Sequence, residues 1–448
     1  MKERIKNGAN LLEDHVFQFD FLNDDFNKLP KELKSIIDNP KKSKKLVIYI
    51  NPPYAEVATT RQRHGTGQSK NSVEQSSIHQ KYGNYMGIAK KEIFAQFLTR
   101  IYFEIPDCII AEFSKLKVLS GPNFSNFRNF FKAKLENSFI VPAYTFDNVT
   151  GNFPIGFKIW NTGIKESFIE TYLDIYDENE NYQGQKKIYS YDDCKFINDW
   201  LIGKREKEIE DKDIIGFLGC YGNDFLNQKI CRIHRTKGEF GTPRGNYITK
   251  RNISDISVYY AVRKCITATW LNDRDQFLLP KDEYNNDDEF KNDCLIYTIF
   301  SNNISSNYGI NHWIPYIATE VNARTNFESS FMYDYINGNI DENEEGDLFT
   351  EKKKGKKKAL KFSKEAKEVI KAGKKLWQYY HSQPTANVNA SLYDIREFFQ
   401  GRDDDSGKMN SKSNDDQYSK LIGELRSKHK ELSIKIQPKV YEYGFLLE

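Results

Sequence analysis

Leu46-Val47-Ile48-Tyr49-Ile50-Asn51-Pro52-Pro53-Tyr54 is the stretch that decides how this chain is read. An apolar run, β-branched and aromatic, stops in an Asn-Pro-Pro-Tyr tetrapeptide. Short runs of this composition bounded by proline read as buried strands. The two prolines end the strand, since neither donates to a ladder. They also fix φ, so the residues just past the strand are held rigidly. Open α/β sheets bind ligands beyond the carboxyl ends of their strands. The Asn51 side-chain carbonyl and the carbonyls of the proline pair are acceptors with no competing local donor. Aimed together, they accept both hydrogens of an exocyclic amino group, draw its lone pair out of conjugation and make the nitrogen nucleophilic. Tyr54 offers a flat face for a base. The alternative is a strand that merely ends in a Pro-Pro turn.

Working outward, Val16–Leu22 reads as a strand that runs into Asn23-Asp24-Asp25, and residues 30–37 as a short helix. Residues 55–85 read as a long loop with Gly65, Gly67 and Gly83; a loop of that length inside a compact domain is functional or disordered. It carries Arg61, Arg63, His64 and Lys70 just past the tip, which suits phosphate contacts; a mobile surface loop is the alternative. Residues 92–103 place Ile93, Phe94, Phe97, Leu98 and Ile101 on one broad helical face. Strands follow at 108–112, 139–141 and 153–160, with a helix at 123–135. Such alternation argues for an α/β sheet with its phenylalanines in the core.

Asn51-Pro52-Pro53-Tyr54 resembles the catalytic motif IV of the amino-methyltransferases that use S-adenosyl-L-methionine, in the form found in DNA adenine-N6 methyltransferases of restriction–modification systems. The resemblance implies that Asn51 and the Pro52 carbonyl hold the target amino group and that Tyr54 stacks on a flipped adenine, since the amino group is otherwise inside the duplex. Asp20-Phe21-Leu22, some thirty residues earlier, is similar to the family's motif III, which makes Asp20 and Phe21 the cofactor side. Phe153-Pro154 resembles the segment that supplies an aromatic wall to the flipped base, with Phe157 as second choice. The implied fold is a partial Rossmann-like methyltransferase sheet (1–165), an α+β target-recognition region (166–340) and a helical, lysine-rich C-terminal region (341–448). The family's glycine-rich cofactor turn precedes motif III; here only nineteen residues precede Asp20, and Gly216-Phe217-Leu218-Gly219 has the wrong pattern. The expected arrangement is therefore a catalytic half that needs a companion polypeptide carrying the cofactor-binding half.

The rest of the chain fits an intracellular nucleic-acid enzyme. It has 448 residues and a net charge of +3, too small to argue for nucleic acid by itself, so local clusters matter more. There is no eighteen-residue apolar run and no secretion signal, which suggests a bacterial-type cytoplasmic protein without a membrane anchor. Six scattered cysteines without a C-x-x-C and no helical histidine pair argue against disulfides and a metal. Arg232, Arg235, Lys237 and Arg244 sit among glycines and aromatics, suited to phosphates and guanines of double-stranded DNA; a solvated basic loop is the alternative. Twelve lysines fall between 352 and 375, and Ser363 is placed to cap a helix whose inner face holds Ala366, Val369, Ile370, Gly373, Leu376 and Trp377. Pro106-Asp107 with Glu112 and Lys115 only approximates a metal-nuclease pattern, because its spacing is one residue too long. Two other functions compete: a non-catalytic DNA-binding fragment or subunit, and a methyltransferase acting on protein glutamine or RNA.

Overall fold

A computed structural model describes Gly8 and residues 15–52, 76–146, 149, 151–206, 209–235, 245–301, 304–306, 310–340 and 359–448. The chain divides into two units, Met1–Asp193 with Thr269–Arg274, and Cys194–Ala268 with Asp275–Glu448.

The first unit is built on a six-stranded mixed sheet. Its strands are β1 (Val47–Ile50), β2 (Ile109–Lys115), β3 (Ala133–Pro142), β4 (Pro154–Lys165), β5 (Glu170–Tyr176) and β6 (Tyr182–Tyr189), in the order β1-β2-β4-β3-β5-β6. β1 pairs parallel with β2, and β3 with β5; β4 lies antiparallel between β2 and β3. A parallel pair needs a crossover. Between β1 and β2 it includes the helices α2 (Ser77–Met86) and α3 (Ile93–Glu104); α1 (Lys31–Ile37) precedes the sheet. Alternation along the strands sends Ile110, Trp160, Ile140, Leu173 and Ile175 into one core with Phe94, Leu98 and Ile101 of α3 and Phe127 of α4 (Ser125–Phe130). Each such side chain contributes roughly 1.5–3 kcal/mol by leaving water.

Four local readings change. Val16–Leu22 is not a strand. The Asp20 carbonyl accepts from the Asn23 and Asp24 amides, and Arg100 of α3 takes the Phe21 and Asp24 carbonyls at 2.7 Å each, so side chain and turn satisfy the backbone groups a ladder would have used. The second part of the 55–85 loop is α2, capped by Ser76, whose hydroxyl accepts the His79 amide; its few apolar residues around Gly83 hid it. The helix at 123–135 stops at Phe130, because β3 takes over from Ala133. Finally, the sheet runs past 165: Tyr172-Leu173-Asp174-Ile175-Tyr176 alternates and adds β5, followed by β6.

The second unit holds a three-stranded antiparallel sheet, β8-β7-β9, made of Gly216–Gly219 (β7), Arg232–His234 (β8) and Gly245–Ile248 (β9). Its helices are α5 (Ile197–Gly203), α6 (Ile253–Lys264), α7 (Asp288–Ser301), α8 (Phe331–Ile336), α9 (Lys364–His381), α10 (Leu392–Gln400) and α11 (Asp416–Glu442). Ile256, Tyr259 and Val262 of α6, Cys294 and Phe300 of α7, Val369, Leu376 and Trp377 of α9 and Leu432 and Ile436 of α11 belong to one core. Ser363 caps α9 as its sequence suggests, its hydroxyl accepting the Ala366 amide at 3.1 Å. Among the described residues, no helix is long and apolar enough to cross a membrane, and no group of three or more His, Cys, Asp or Glu side chains is placed to hold a metal.

Candidate active site at the tip of the edge strand

β1 is the last strand on its side of the sheet among the described residues. Its register with β2 ends where Ile50 meets Glu112. One step further, Asn51 is exposed and Pro52 is buried. Continuing the parallel register brings Asn51 level with Phe113 and Pro52 level with Ser114, which in turn face Phe157 and Gly156 of β4. The asparagine thus stands at the carboxyl end of a strand, on the edge of a parallel pair. Pro53 and Tyr54 lie outside the described residues, as do Arg61, Arg63 and Lys70.

The face of the sheet that carries Tyr49 is aromatic. The Tyr49 ring lies 6.3 Å from that of Phe157 and 6.5 Å from that of Phe113. Phe113 and Phe157 are 4.8 Å apart, and Phe139 is 5.1 Å from Phe157. Phe146 and Tyr176 extend the patch. Tyr49 is 66% exposed, while Phe113, Phe139 and Phe157 are half-buried. Flat rings at the end of a strand, beside amide and carbonyl acceptors, suit a planar heterocycle. Phe153 lies one residue before β4; it is half-buried, and its carbonyl accepts the Ala143 amide at 2.9 Å. Phe157, the second choice by sequence, is the aromatic that the strand register brings beside Tyr49.

The other face of the same three strands buries an ion pair. Glu112 and Lys158 are both wholly inaccessible and meet at 3.2 Å. The Lys158 ammonium also donates to the Gly156 carbonyl at 2.8 Å and the Ser114 carbonyl at 3.2 Å. Trp160 Nε1 donates to Glu112 Oε1 at 3.3 Å, and Glu112 Oε2 has no partner. Burial pushes the Lys158 pKa down, while Glu112 opposes that shift. A Cβ on Gly156 would sit 2.8 Å from the end of the Leu116 side chain and 3.2 Å from the Lys158 ammonium, so a side chain there must move Leu116 and crowds the lysine. This pair lies one register step from the Asn51 tip and braces the strands that carry it.

Asp20 and Phe21 are held in a turn. The Asp20 carboxylate accepts from the Leu22 amide at 3.0 Å and from Asn23 Nδ2 at 2.9 Å. Phe21 stacks on Phe97 of α3 at 4.9 Å. The turn is tied to α2 by the Ser77 amide, which donates to Asn23 Oδ1 at 3.0 Å. Both carboxylate oxygens are therefore engaged within the turn. Gly216–Gly219 is the central strand β7, not a phosphate-type turn.

No protein-family model matches the chain, and no curated protein sequence matches it. Solved structures overlap it in part, two of them as follows. One is an ATP-dependent Type ISP restriction-modification enzyme, LlaBIII, bound to DNA: 11% identity over 50% of this chain and 17% of that chain, with a TM-score of 0.23. The other is a nuclease-deletion mutant of the Type ISP restriction-modification enzyme LlaGI in complex with a DNA substrate mimic: 11% identity over 41% of this chain and 22% of that chain, with a TM-score of 0.22. Overlap of this size does not define a common fold, and this chain spans less than a quarter of either enzyme.

In the second unit, Arg232 is exposed at the start of β8 and Arg235 is half-buried just past it; Lys237 and Arg244 lie outside the described residues. Sequence reasoning missed Phe113, one residue past the strand read at 108–112, and the Glu112–Lys158 pair, whose members are 46 residues apart and meet only through an antiparallel register. A lysine at the centre of the apolar strand Ile155–Trp160 was the one available signal for that pair.

Proposed function

We propose that this chain is the catalytic and target-recognition portion of a DNA adenine-N6 methyltransferase from a restriction–modification system. The observation that carries the reading is the position of Asn51-Pro52: the amino-binding dipeptide ends a strand of a parallel pair, beside the ring cluster of Tyr49, Phe113 and Phe157. The Asn51 side-chain carbonyl and the Pro52 carbonyl accept the two amino hydrogens of an extruded adenine and turn its nitrogen lone pair outward. Tyr54, and Phe153 or Phe157, hold the base flat. S-adenosyl-L-methionine supplies the electrophilic methyl carbon. This chain's own contribution is positioning and the fixed field of two carbonyl dipoles, which need no reorganisation during the reaction. Arg61, Arg63, Lys70, Arg232, Arg235, Lys237 and Arg244 are the proposed DNA contacts. Asp20 and Phe21 are the proposed cofactor wall.

The open side of β1 among the described residues favours a companion polypeptide that brings the glycine-rich half. Methyl transfer to plasmid DNA, with and without such a companion, tests the whole reading, with mapping of modified bases. The expected product is N6-methyladenine at one sequence, made only by the pair and lost at least a thousandfold in Asn51→Ala. Undiminished labelling by Asn51→Ala refutes the proposed role of the tip. Tight S-adenosyl-L-methionine binding by this chain alone refutes the companion.

A further inference from the structure

The second unit contains a cavity of about 730 Å3 that takes no part in the chemistry proposed at Asn51, although its Arg232 and Arg235 are among the proposed DNA contacts. Its size is that of a small-molecule site. Four cations line it, Lys229, Arg232, Arg235 and Lys264, and no carboxylate does among the described residues. Tyrosines 260, 297 and 393 line it as well. Unlike charges normally interleave on a protein surface; a concave wall of one sign concentrates the opposite charge.

The cations converge for structural reasons. Arg232 begins β8 and donates through Nε to the Lys229 carbonyl at 3.1 Å, which fixes the guanidinium and leaves its terminal nitrogens for another acceptor. Lys264 is the last residue of α6, and its ammonium donates to the Gln228 carbonyl at 2.5 Å. Gln228 in turn donates to the Arg263 and Ile266 carbonyls, at 2.8 and 2.7 Å, and so locks the strand-side loop to the helix end. Burial, Arg263 and Arg232 all work against the charge of Lys264. An anion in the cavity relieves that repulsion. Tyr393, on α10, is half-buried and has its hydroxyl held by Arg402. Cys231 is fully buried and its thiol is pushed up to about 11, so the cavity offers a binding wall without a reactive thiolate.

We infer that this cavity is a nucleotide subsite: it takes one phosphate-bearing nucleoside unit, with the phosphate on Arg232, Arg235 and Lys264 and the base against Tyr393. A phosphate alone leaves most of the volume empty; the tyrosines account for the rest. The unit comes either from a DNA strand with one unstacked base or from a free nucleotide. The inference stands apart from the methyl-transfer chemistry at Asn51.

Equilibrium binding to the full chain tests it, with dAMP, deoxyadenosine, inorganic phosphate, a single-stranded dodecamer and the same dodecamer fully paired. Binding of dAMP or of the single strand, at least tenfold tighter than that of deoxyadenosine, inorganic phosphate or the paired duplex, is expected. Arg232→Gln with Lys229→Gln, both at exposed positions and so harmless to folding, should weaken it about tenfold and lower its salt dependence by about one to two phosphate contacts. Tyr393→Leu should weaken dAMP or the single strand roughly tenfold, the scale of one base–aromatic stack. It should leave phosphate unchanged. Preference for the single strand makes DNA the source; preference for dAMP makes it a free nucleotide. Phosphate binding as tight as dAMP with no effect of Tyr393→Leu overturns the subsite, as does a nucleotide affinity that the arginine–lysine variant leaves intact. Because none of these readouts involves methyl transfer, failure of this subsite and failure of the role proposed for Asn51 are read separately.

Discussion

Lys158 makes the clearest demand on a single residue. A buried pair is weak evidence for stability, yet breaking one side of it is costly, since the survivor keeps its desolvation penalty without its partner. Lys158→Met strands the Glu112 carboxylate in an apolar core and should cost about 3–5 kcal/mol in urea denaturation. The double variant Glu112→Leu/Lys158→Met should recover most of that loss. If it does, the pair serves the placement of β1, β2 and β4 at the tip rather than their stability, and on the proposed function the methylation made with the companion should fall in the double variant while its fold persists. His381 is the second informative residue. It is 5% exposed against Phe327 and Tyr380, and burial, then Arg324, lowers its pKa to about 4 from 6.5. The folded state refuses a proton that the unfolded chain accepts. Stability is therefore full above pH 6.5 and declines as pH falls from 6.5 toward 4, by roughly 3 kcal/mol at most. Chemical denaturation of His381→Phe across that window should lack this part of the slope.

At the scale of elements, α9 shows what a sequence reveals about itself. Its cap and its inner stripe follow from spacing alone, because a helix states its buried face every three or four residues. Ser363→Ala should cost about 1 kcal/mol, measured by thermal or urea unfolding. Gly373 on that stripe has a reason only the structure supplies: a Cβ there would lie 2.3 Å from the Phe300 ring and 2.5 Å from the Tyr316 hydroxyl. Gly373→Ala should destabilise by about 1–3 kcal/mol despite alanine's better helix propensity, and Phe300→Leu in the same chain should offset part of the loss. β1 was legible as a strand for a similar reason, since composition and punctuation are local, but its apolar run reads as buried where the structure makes it an exposed edge. The Asp20 turn was not, because Arg100, eighty residues later, decides it by taking its carbonyls. The aromatic face was equally hidden. Phe113, Phe139 and Phe157 come from three strands, and only their pairing register brings the rings together. Pairs that depend on register leave no trace in spacing.

At the scale of the molecule, the open side of β1 governs how the chain behaves in solution. Val47 is 60% and Tyr49 66% exposed, and no described strand pairs with β1 on that side. Exposed edges of this kind recruit other strands unless charge or proline blunts them, and Val47–Ile50 carries no charge. The chain by itself should therefore associate in a concentration-dependent way, seen by light scattering. Val47→Lys with Tyr49→Lys should suppress that association, since both side chains already face solvent and their loss removes little core. The same edge tests the proposed companion. If a companion supplies the neighbouring strand, the outward amides of Val47–Ile50 exchange rapidly in the lone chain and slow at least a hundredfold when the companion is added, while the amides of β4, already paired on both sides, change little. Slow exchange of the β1 amides in the lone chain would mean that the edge is already covered, and would count against the proposed companion.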